Sequence, residues 1–330
     1  MQWGIYAAAG GALFFAGIGG GFLLFHEPAA AGAEMNRQGG YEFVNPLLTC
    51  DLLEDEPYGG FGSLTSDLQS AVKQEEASGA VTRMSVYFRD MNYGRWTGVN
   101  ADDLYIPASL NKVPLYIAYQ RQAQTSPAVL TQTYTIPAGV DANSVETFKS
   151  QDDLLPGVYT VQQLLDAMIM HSDNNAANVL NAHVSPAAIA DVYSTLSLPA
   201  GDDNAEDMSP RGYMVLFRIL YNATYIGRTR AQATLKLLSE TDFNGGIVAG
   251  VGSTTVSHKF GERSVYVQDG ATGQQTLTKR ELHDCGIVYY PGSPYGLCIM
   301  TEGADFNQMK GAIADVSALV YKDVQAGLLR

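Results

Sequence analysis

Two stretches of β-type alternation lie far apart in this 330-residue chain, with a long helical stretch between them, and that order restricts the fold more than any single motif. Val81 to Arg89 alternates around Val81, Met84, Val86 and Phe88. The turn Met91-Asn92-Tyr93-Gly94 follows, and Arg95 to Gly98 leads back as a hairpin. From Ser109 to Leu238 the period is mainly helical. Thr160 with Gln163 spells a capping box for a helix over Val161 to Met170, and Ser185-Pro186 and Ser209-Pro210 each set an N-cap before a proline at the first helical position. After Asn244-Gly245-Gly246 the period changes again. Thr254 to Phe260, Cys285 to Tyr290 and Tyr295 to Thr301 read as strands, the last two joined through Pro291-Gly292-Ser293-Pro294. Phe306 to Leu329 closes the chain as a helix, with Met309, Ile313, Val316, Leu319 and Val320 at helical spacing. No linker separates the halves. The early and late strands therefore most simply share one antiparallel sheet flanked by helices, with the central helices as an all-helical lobe: an α+β fold, an α/β sandwich.

Composition narrows the function. With 46% hydrophobic and 16% charged residues the chain can bury a sizeable core. A net charge of -14, with no run of Lys or Arg, argues against nucleic acid and against charge-driven binding to anionic lipid. Cys50, Cys285 and Cys298 are too few for a disulfide scaffold and show no CxxC spacing, so a metal is not expected. Cys285 and Cys298 face one another if Pro291-Gly292 is a two-residue turn, which permits a cross-strand disulfide in an exported protein. Pairing of either with Cys50 is the alternative.

Trp3 to Phe25 carries no charge and exceeds the about 20 apolar residues that cross a bilayer, and Gly17 and Gly21 form a small-xxx-small pair. Ala31-Gly32-Ala33 resembles a signal-cleavage site. The apolar core, however, is longer than the roughly 7 to 15 residues of a signal and lacks a basic n-region, so residues 1–25 read as an uncleaved membrane anchor. Residues 26–62 then read as a stalk and 63–330 as a domain outside the cytoplasm, membrane-anchored or, if the signal is cleaved, secreted.

The chemistry starts at Pro107-Ala108-Ser109-Leu110-Asn111-Lys112, which runs into the apolar Val113 to Tyr119. A serine and a lysine one helical turn apart share a face, and the amine can take the hydroxyl's proton, the minimal equipment of an acyl-serine hydrolase. A second match, Ser70 to Lys73, lies in the polar stretch Leu64 to Glu76 and reads as a solvated helix face. Lys112 differs because an apolar helix buries it without an obvious carboxylate partner, and a buried lysine needs a reason. Further along, Ser172-Asp173-Asn174 offers a hydroxyl for a leaving nitrogen and an amide for the substrate. Lys259-Phe260-Gly261-Glu262-Arg263 offers a fixed positive charge on a strand edge, with a glycine where a substrate backbone can lie close. His171, His258 and His283 lack metal spacing and read as structural.

Ser109-Leu110-Asn111-Lys112, Ser172-Asp173-Asn174 and the imperfect Lys259-Phe260-Gly261 together resemble, in order and setting, the S-x-x-K, S-D-N and K-T-G signatures of the penicillin-recognising serine hydrolases, and within them the class A β-lactamase-like family. The resemblance covers roughly residues 64 to 325. It implies the β-lactamase/transpeptidase-like fold, with Ser109 as nucleophile and Lys112 as its base, its pKa lowered by burial and by repulsion from Lys259. It further implies that Ser172 protonates the departing nitrogen, Asn174 holds the substrate amide, Lys259 attracts the substrate carboxylate, and the N–H groups of Ser109 and Glu262 form the oxyanion hole. The implied substrate is a β-lactam or a D-Ala-D-Ala-type, peptidoglycan-like peptide, and no cofactor is implied.

The departures from the family pattern carry expectations of their own. Phe260 replaces a hydroxyl-bearing residue, which leaves Arg263 or another group to meet a carboxylate. Class A enzymes carry a catalytic Glu between the S-D-N motif and the next Pro-started helix, but Ser197 to Ser209 has no E-x-x-L-N-like run, and Glu206 and Asp207 read as loop or N-cap residues. A β-lactam acyl group should therefore persist on Ser109, as in penicillin-binding peptidases. Two alternatives stand beside this reading: a true β-lactamase with a different water-activating group, and a non-catalytic cell-wall or β-lactam sensor. The polar stretch Arg263 to Leu282 either rims the cleft or forms a solvated hairpin.

Overall fold

The computed structural model describes residues 36–49, 57–199, 207–268, 270 and 273–329, so the anchor reading of Trp3 to Phe25 and any pairing of Cys50 lie outside them. No helix among the described residues is long and apolar enough to cross a membrane. Strands β1 (Asn36–Arg37) and β2 (Leu47–Thr49) pair with each other. The sequence reads this part as flexible stalk, yet Phe43 and Val44 are buried, the Phe43 ring meets Tyr289 edge-on at 5.3 Å, and Arg37 donates to Asn222 Oδ1 at 2.9 Å. With Asn45 N bonded to Tyr221 O and Leu47 N to Asn222 O, these contacts dock the segment on the body, and they form no periodic pattern to betray it.

Helix α1 (Gly62–Ser78) ends on Gly79, whose φ of 81° suits glycine, and buries Leu64, Leu68 and Val72. Its Ser70 and Lys73 are exposed, so the second S-x-x-K match is a solvated face. Strands β3 (Arg83–Asp90) and β4 (Trp96–Val99) form the expected hairpin. A 3-10 turn, Ala108–Asn111, leads into α2 (Lys112–Thr125). The next region departs from the all-helical expectation: β5 (Thr133–Ile136) and β6 (Gly157–Thr160) pair antiparallel, and the loop 137–156 hangs between them. Helix α3 (Val161–Met170) carries the complete Thr160–Gln163 capping box. Then come α4 (Asn174–His183), α5 (Pro186–Thr195), α6 (Pro210–Tyr221), α7 (Arg228–Leu238) and the short α8 (Gly246–Gly250). Both serine-proline pairs begin helices; Ser209 accepts from Gly212 N, whereas the Ser185 side chain makes no cap bond.

Strands β7 (Val256–Gln268), β8 (Gln275–Val288) and β9 (Tyr295–Gly303) precede the closing helix α9 (Phe306–Gln325). The main sheet has five strands in the order β4-β3-β9-β8-β7, with every neighbouring pair antiparallel. Early strand β3 thus pairs with late strand β9, from Arg83 opposite Glu302 to Asp90 opposite Tyr295. On one face Leu64, Leu68 and Val72 of α1 meet Met309, Ile313 and Val316 of α9 over Val86, Phe88 and Ile299. The other face carries the helical lobe, packed around Val113 and Ile117 of α2 with Leu164, Met168 and Phe217. Cys285 lies directly opposite Cys298 and is disulfide-bonded to it. Pairing stops at Val288 opposite Tyr295, so the connection is longer than a two-residue turn but keeps the same register. The stretch after Arg263 satisfies both sequence alternatives, because it is a hairpin extension of β7 and β8 with Tyr266 and Val267 exposed, and its base borders the cleft described below.

The chain just ahead of α2 is held by buried side chains from distant elements. Ile106 N donates to Glu281 Oε2 and Ile106 O accepts from His283 Nε2, both at 2.9 Å. Tyr213 of α6 donates its hydroxyl to Leu110 O at 2.9 Å. Burial pushes the Glu281 carboxyl up, but bonds and charge from His283 and Lys279 outweigh it and hold it below its ordinary value of 4.5. A depressed carboxyl stabilises the fold above its unfolded pKa and loses that contribution as pH falls through its native one. Glu281→Gln should therefore cost about 1–3 kcal/mol at pH 7. In chemical denaturation the gap from the unaltered protein should narrow as pH drops below about 4.5.

Candidate active site

Where the helical lobe meets the sheet edge, a cleft of about 1150 Å³ is lined by Ser109, Lys112, Glu146, Asn174, Glu262 and Arg263, among others. Ser109 sits on the 3-10 turn directly after Ala108, whose φ of 51° is left-handed. Ser172, which opens the turn into α4, has φ 58°. Such a backbone costs a residue with a Cβ roughly 1–2 kcal/mol, and it persists only where neighbours fix it. Here Leu110 N donates to Pro107 O at 3.0 Å and Tyr213 clamps Leu110 O. Asp173 caps α4 through Ala176 N at 2.9 Å and also accepts from Leu154 N at 2.7 Å. It is fully buried and structural, while the residues on either side of it face the chemistry.

Lys112 Nζ donates to Ser172 O, to Ser172 Oγ at 3.0 Å and to Asn174 Oδ1 at 2.7 Å. Lys259 Nζ donates to the same Ser172 Oγ at 3.0 Å and to Phe260 O at 3.1 Å. A hydroxyl oxygen accepts two hydrogen bonds and gives one. With both lysines on its lone pairs, Ser172 has its own proton to offer a third group. The three motifs, separated by up to 150 positions, thus share one hydroxyl. Burial pushes Lys112 down to about 8, against the pull of the Glu146, Asp173, Asp153 and Glu262 carboxylates. Roughly a tenth of it is then neutral at pH 7, a usable fraction of base.

Lys259 departs from the expectation of a fixed charge offered to substrate. It is fully buried and pushed well down, first by burial and then by the charge of Lys112, and it bonds Ser172 rather than facing the open cleft. Gly261 also differs in its reason. A Cβ there would stand 2.9 Å from Pro107 O and 3.1 Å from Leu110 N, so the missing side chain lets the serine turn, not a substrate, lie close. Phe260 stacks on Phe243 at 4.2 Å between ring centroids and belongs to the core, which explains an aromatic ring where the resemblance expects a hydroxyl. Glu262 accepts from Thr147 N at 3.0 Å and Phe148 N at 2.8 Å, tying the loop 137–156 to β7, and Arg263 lines the cleft beside it. β7 ends the sheet order, so its outer edge is turned toward the serine turn.

One functional group escaped the sequence reading. Glu146, on the β5–β6 loop, brings Oε1 to 2.8 Å from Asn174 Nδ2 and 4.0 Å from Lys112 Nζ. Burial raises its carboxyl to about 7, against the Lys112 and Lys259 charges. The signal that could have found it is Lys112 itself, because a buried ammonium calls for a carboxylate and none stands nearby in sequence. His171, His258 and His283 lie outside the cleft lining. His258 bonds Asp284 at 2.7 Å and Thr241 at 2.8 Å, and His171 bonds Asp242 at 2.6 Å. Asp152, His171 and Asp242 bring potential ligand atoms within 4.8 Å of one another, the only such group among the described residues.

A serine and two lysines at a sheet edge, with a second serine bonded to both amines, define the class: this is a serine hydrolase. The chain belongs to the beta-lactamase enzyme family, whose model matches residues 64–324. Among solved structures it is similar to PBP-A, at 19% identity and a TM-score of 0.66 over 84% of this chain and 100% of that one. A point mutant of PBP-A, solved as an acyl-enzyme complex with penicillin G, is 20% identical with a TM-score of 0.65 over 83% and 100%. A beta-lactamase from Sphaerobacter thermophilus DSM 20745 is 22% identical with a TM-score of 0.63 over 80% and 98%. These three likenesses are of fold. No curated protein matches the chain.

If Lys112 is the base, the rate of Ser109 acylation should climb with pH and level off above about 8, where the amine is neutral. Lys112→Arg, which keeps the charge but holds its proton, should lower that rate by about 10²–10⁴-fold at pH 7. Stopped-flow acylation across pH checks both.

Proposed function

We propose that this protein is a membrane-anchored, extracytoplasmic serine hydrolase that forms an acyl-Ser109 intermediate with β-lactams or with the D-Ala-D-Ala-type peptides they mimic, and that releases a β-lactam acyl group slowly, as penicillin-binding peptidases do. The observation that carries it is the bonding of Lys112 and Lys259 to one hydroxyl, Ser172 Oγ, each at 3.0 Å, at the cleft that Ser109 lines.

The proposed steps are these. Neutral Lys112 takes the Ser109 proton as Oγ attacks the carbonyl carbon, and the N–H groups of Ser109 and Glu262 hold the oxyanion. The C–N bond breaks, Ser172 gives its proton to the leaving nitrogen, and the proton on Lys112 refills Ser172 across the 3.0 Å bond. Lys259, buried against the same hydroxyl, favours the electron-rich form of Ser172 as that proton leaves. A substrate carboxylate is met by Arg263 on the cleft wall.

Slow release is supported by the chain between α5 and α6, where Ser197 to Ser209 spells no E-x-x-L-N-like run; Glu206 lies outside the described residues. Asp207 donates its backbone N–H to Tyr105 O and so belongs to the support of the serine turn. The anchor is supported by the uncharged run from Trp3 to Phe25.

A fluorescent penicillin tests the proposal. The protein should take up a label that is stable for many minutes and absent in Ser109→Ala. Rapid loss of label with drug hydrolysis would mark a β-lactamase, and a folded protein that takes no label would mark a binding module.

A further inference from the structure

The cleft has two ends of unlike chemistry. Toward the sheet edge its walls carry Glu262 and Arg263 of β7 and Glu146 of the β5–β6 loop. Toward the helical lobe three helices each turn one face to it. Lys112 and Leu115 of α2 stand three positions apart, and Asn174, Ala177, Asn178 and Asn181 of α4 keep the spacing of a single helix stripe. Ile189, Ala190 and Tyr193 of α5 make the third side. Past Lys112, no charged side chain among the described residues lines this end.

The sequence of α5 explains its wall. Val192 is fully buried and seats the helix on the core, which leaves Ile189 and Tyr193, both partly buried, and the exposed Ala190 along the cleft. This helix lies in the interval between Ser172-Asp173-Asn174 and Pro210 where the family pattern carries a carboxylate. Here the described part of that interval gives the cleft an apolar wall and no charged group. On α4 the side-chain amides of Asn178 and Asn181 are exposed and bond no other group among the described residues. From Asn174 to Asn181 the stripe runs about 10 Å along the helix.

This asymmetry gives a guest a direction. A carboxylate on the leaving side goes to the end that holds Arg263, so the acyl limb, on the other side of the reacting carbonyl, faces the helices. Asn174, which the resemblance sets beside the substrate amide, heads the α4 stripe. We infer that the helical end of the cleft is a subsite for the acyl limb, and that it selects donors whose limb is long, uncharged and largely apolar over donors whose limb is short or ends in a charge. Apolar surface leaving water against Leu115, Ile189 and Tyr193 drives the selection, and the Asn178 and Asn181 amides meet polar groups along the limb. A charged end would lose its water with no opposite charge to receive it. The inference rests on Ser109 being the nucleophile.

Penicillins that share one nucleus and carry acetyl, butyryl, hexanoyl or octanoyl side chains test it, together with one whose chain matches octanoyl but ends in a carboxylate. The second-order rate of mass gain on Ser109 of the full chain, followed by mass spectrometry, should rise about twofold to fourfold with each added methylene until the chain fills the end of the cleft. The terminal carboxylate should return the rate to within about threefold of the acetyl compound. Ala190→Trp, which sets a large ring at an exposed helix position, should flatten the series to within about twofold. A flat series in the unaltered protein overturns the inference without any variant. So does a carboxylate-ended chain that reacts as fast as octanoyl. A folded Ala190→Trp protein that keeps the full rise overturns it as well, and moves the limb to another part of the cleft. Absence of acylation by every probe refutes the nucleophile reading and this inference with it, whereas acylation without dependence on chain length refutes this inference alone.

Discussion

Everything reactive in this protein depends on keeping two lysine amines out of water beside a single hydroxyl. An ammonium buried this deeply is costly unless it is hydrogen-bonded and offset by charge. Lys112 meets that requirement through Ser172, Asn174 and the nearby Glu146 carboxylate, and still sits at about 8 rather than at a surface lysine's value. Lys259, fully buried and facing the charge of Lys112, is also pushed well below its ordinary value. Under the proposed mechanism Lys112 acts as base while Lys259 holds the serine between them.

The scaffold exists to keep that arrangement from relaxing. The antiparallel sheet joins β3 from the front of the domain to β9 from its end, and β7 at its edge carries Lys259 toward the helical lobe. The turn bearing Ser109 is gripped from β8 by Glu281 and His283 and from α6 by Tyr213, and Gly261 lets the turn lie against β7. Ala108 and Ser172 hold left-handed backbone next to the reactive groups, and the packing around them maintains conformations an isolated chain would leave.

Much of the fold was legible because local chemistry and final structure agree. The capping box at Thr160, the serine-proline helix starts and the alternation of Val86 and Phe88 describe elements whose environment repeats along the chain. The exceptions share a cause. Residues 36–49 look like stalk because Phe43, Val44, Arg37 and backbone bonds to Tyr221 and Asn222 anchor them without a repeating pattern, and β5 and β6 are too short for alternation to stand out among helices. In the site, the motif residues were legible by type and spacing. Lys259 was expected as a fixed charge and Gly261 as room for a substrate; the structure adds that Lys259 bonds Ser172 and that Gly261 makes room for the serine turn, because burial and close approach are properties of packed neighbours. Phe260 looked like a lost hydroxyl until its stack on Phe243 placed it in the core.

By itself the sequence determined the order of strands and helices, the sharing of one sheet by the two ends of the domain, and a serine and lysine one turn apart at the head of an apolar helix. These follow from periodicity and turn chemistry, which act over a few residues. Only the tertiary structure decided that Ser172 Oγ receives both amines, that Cys285 bonds Cys298, and that Glu146 fills the donor side of Asn174. Those contacts join residues 13 to 87 positions apart in the chain. No local propensity specifies them, because it is the burial of charge at the meeting of two lobes that makes each partner necessary to the other.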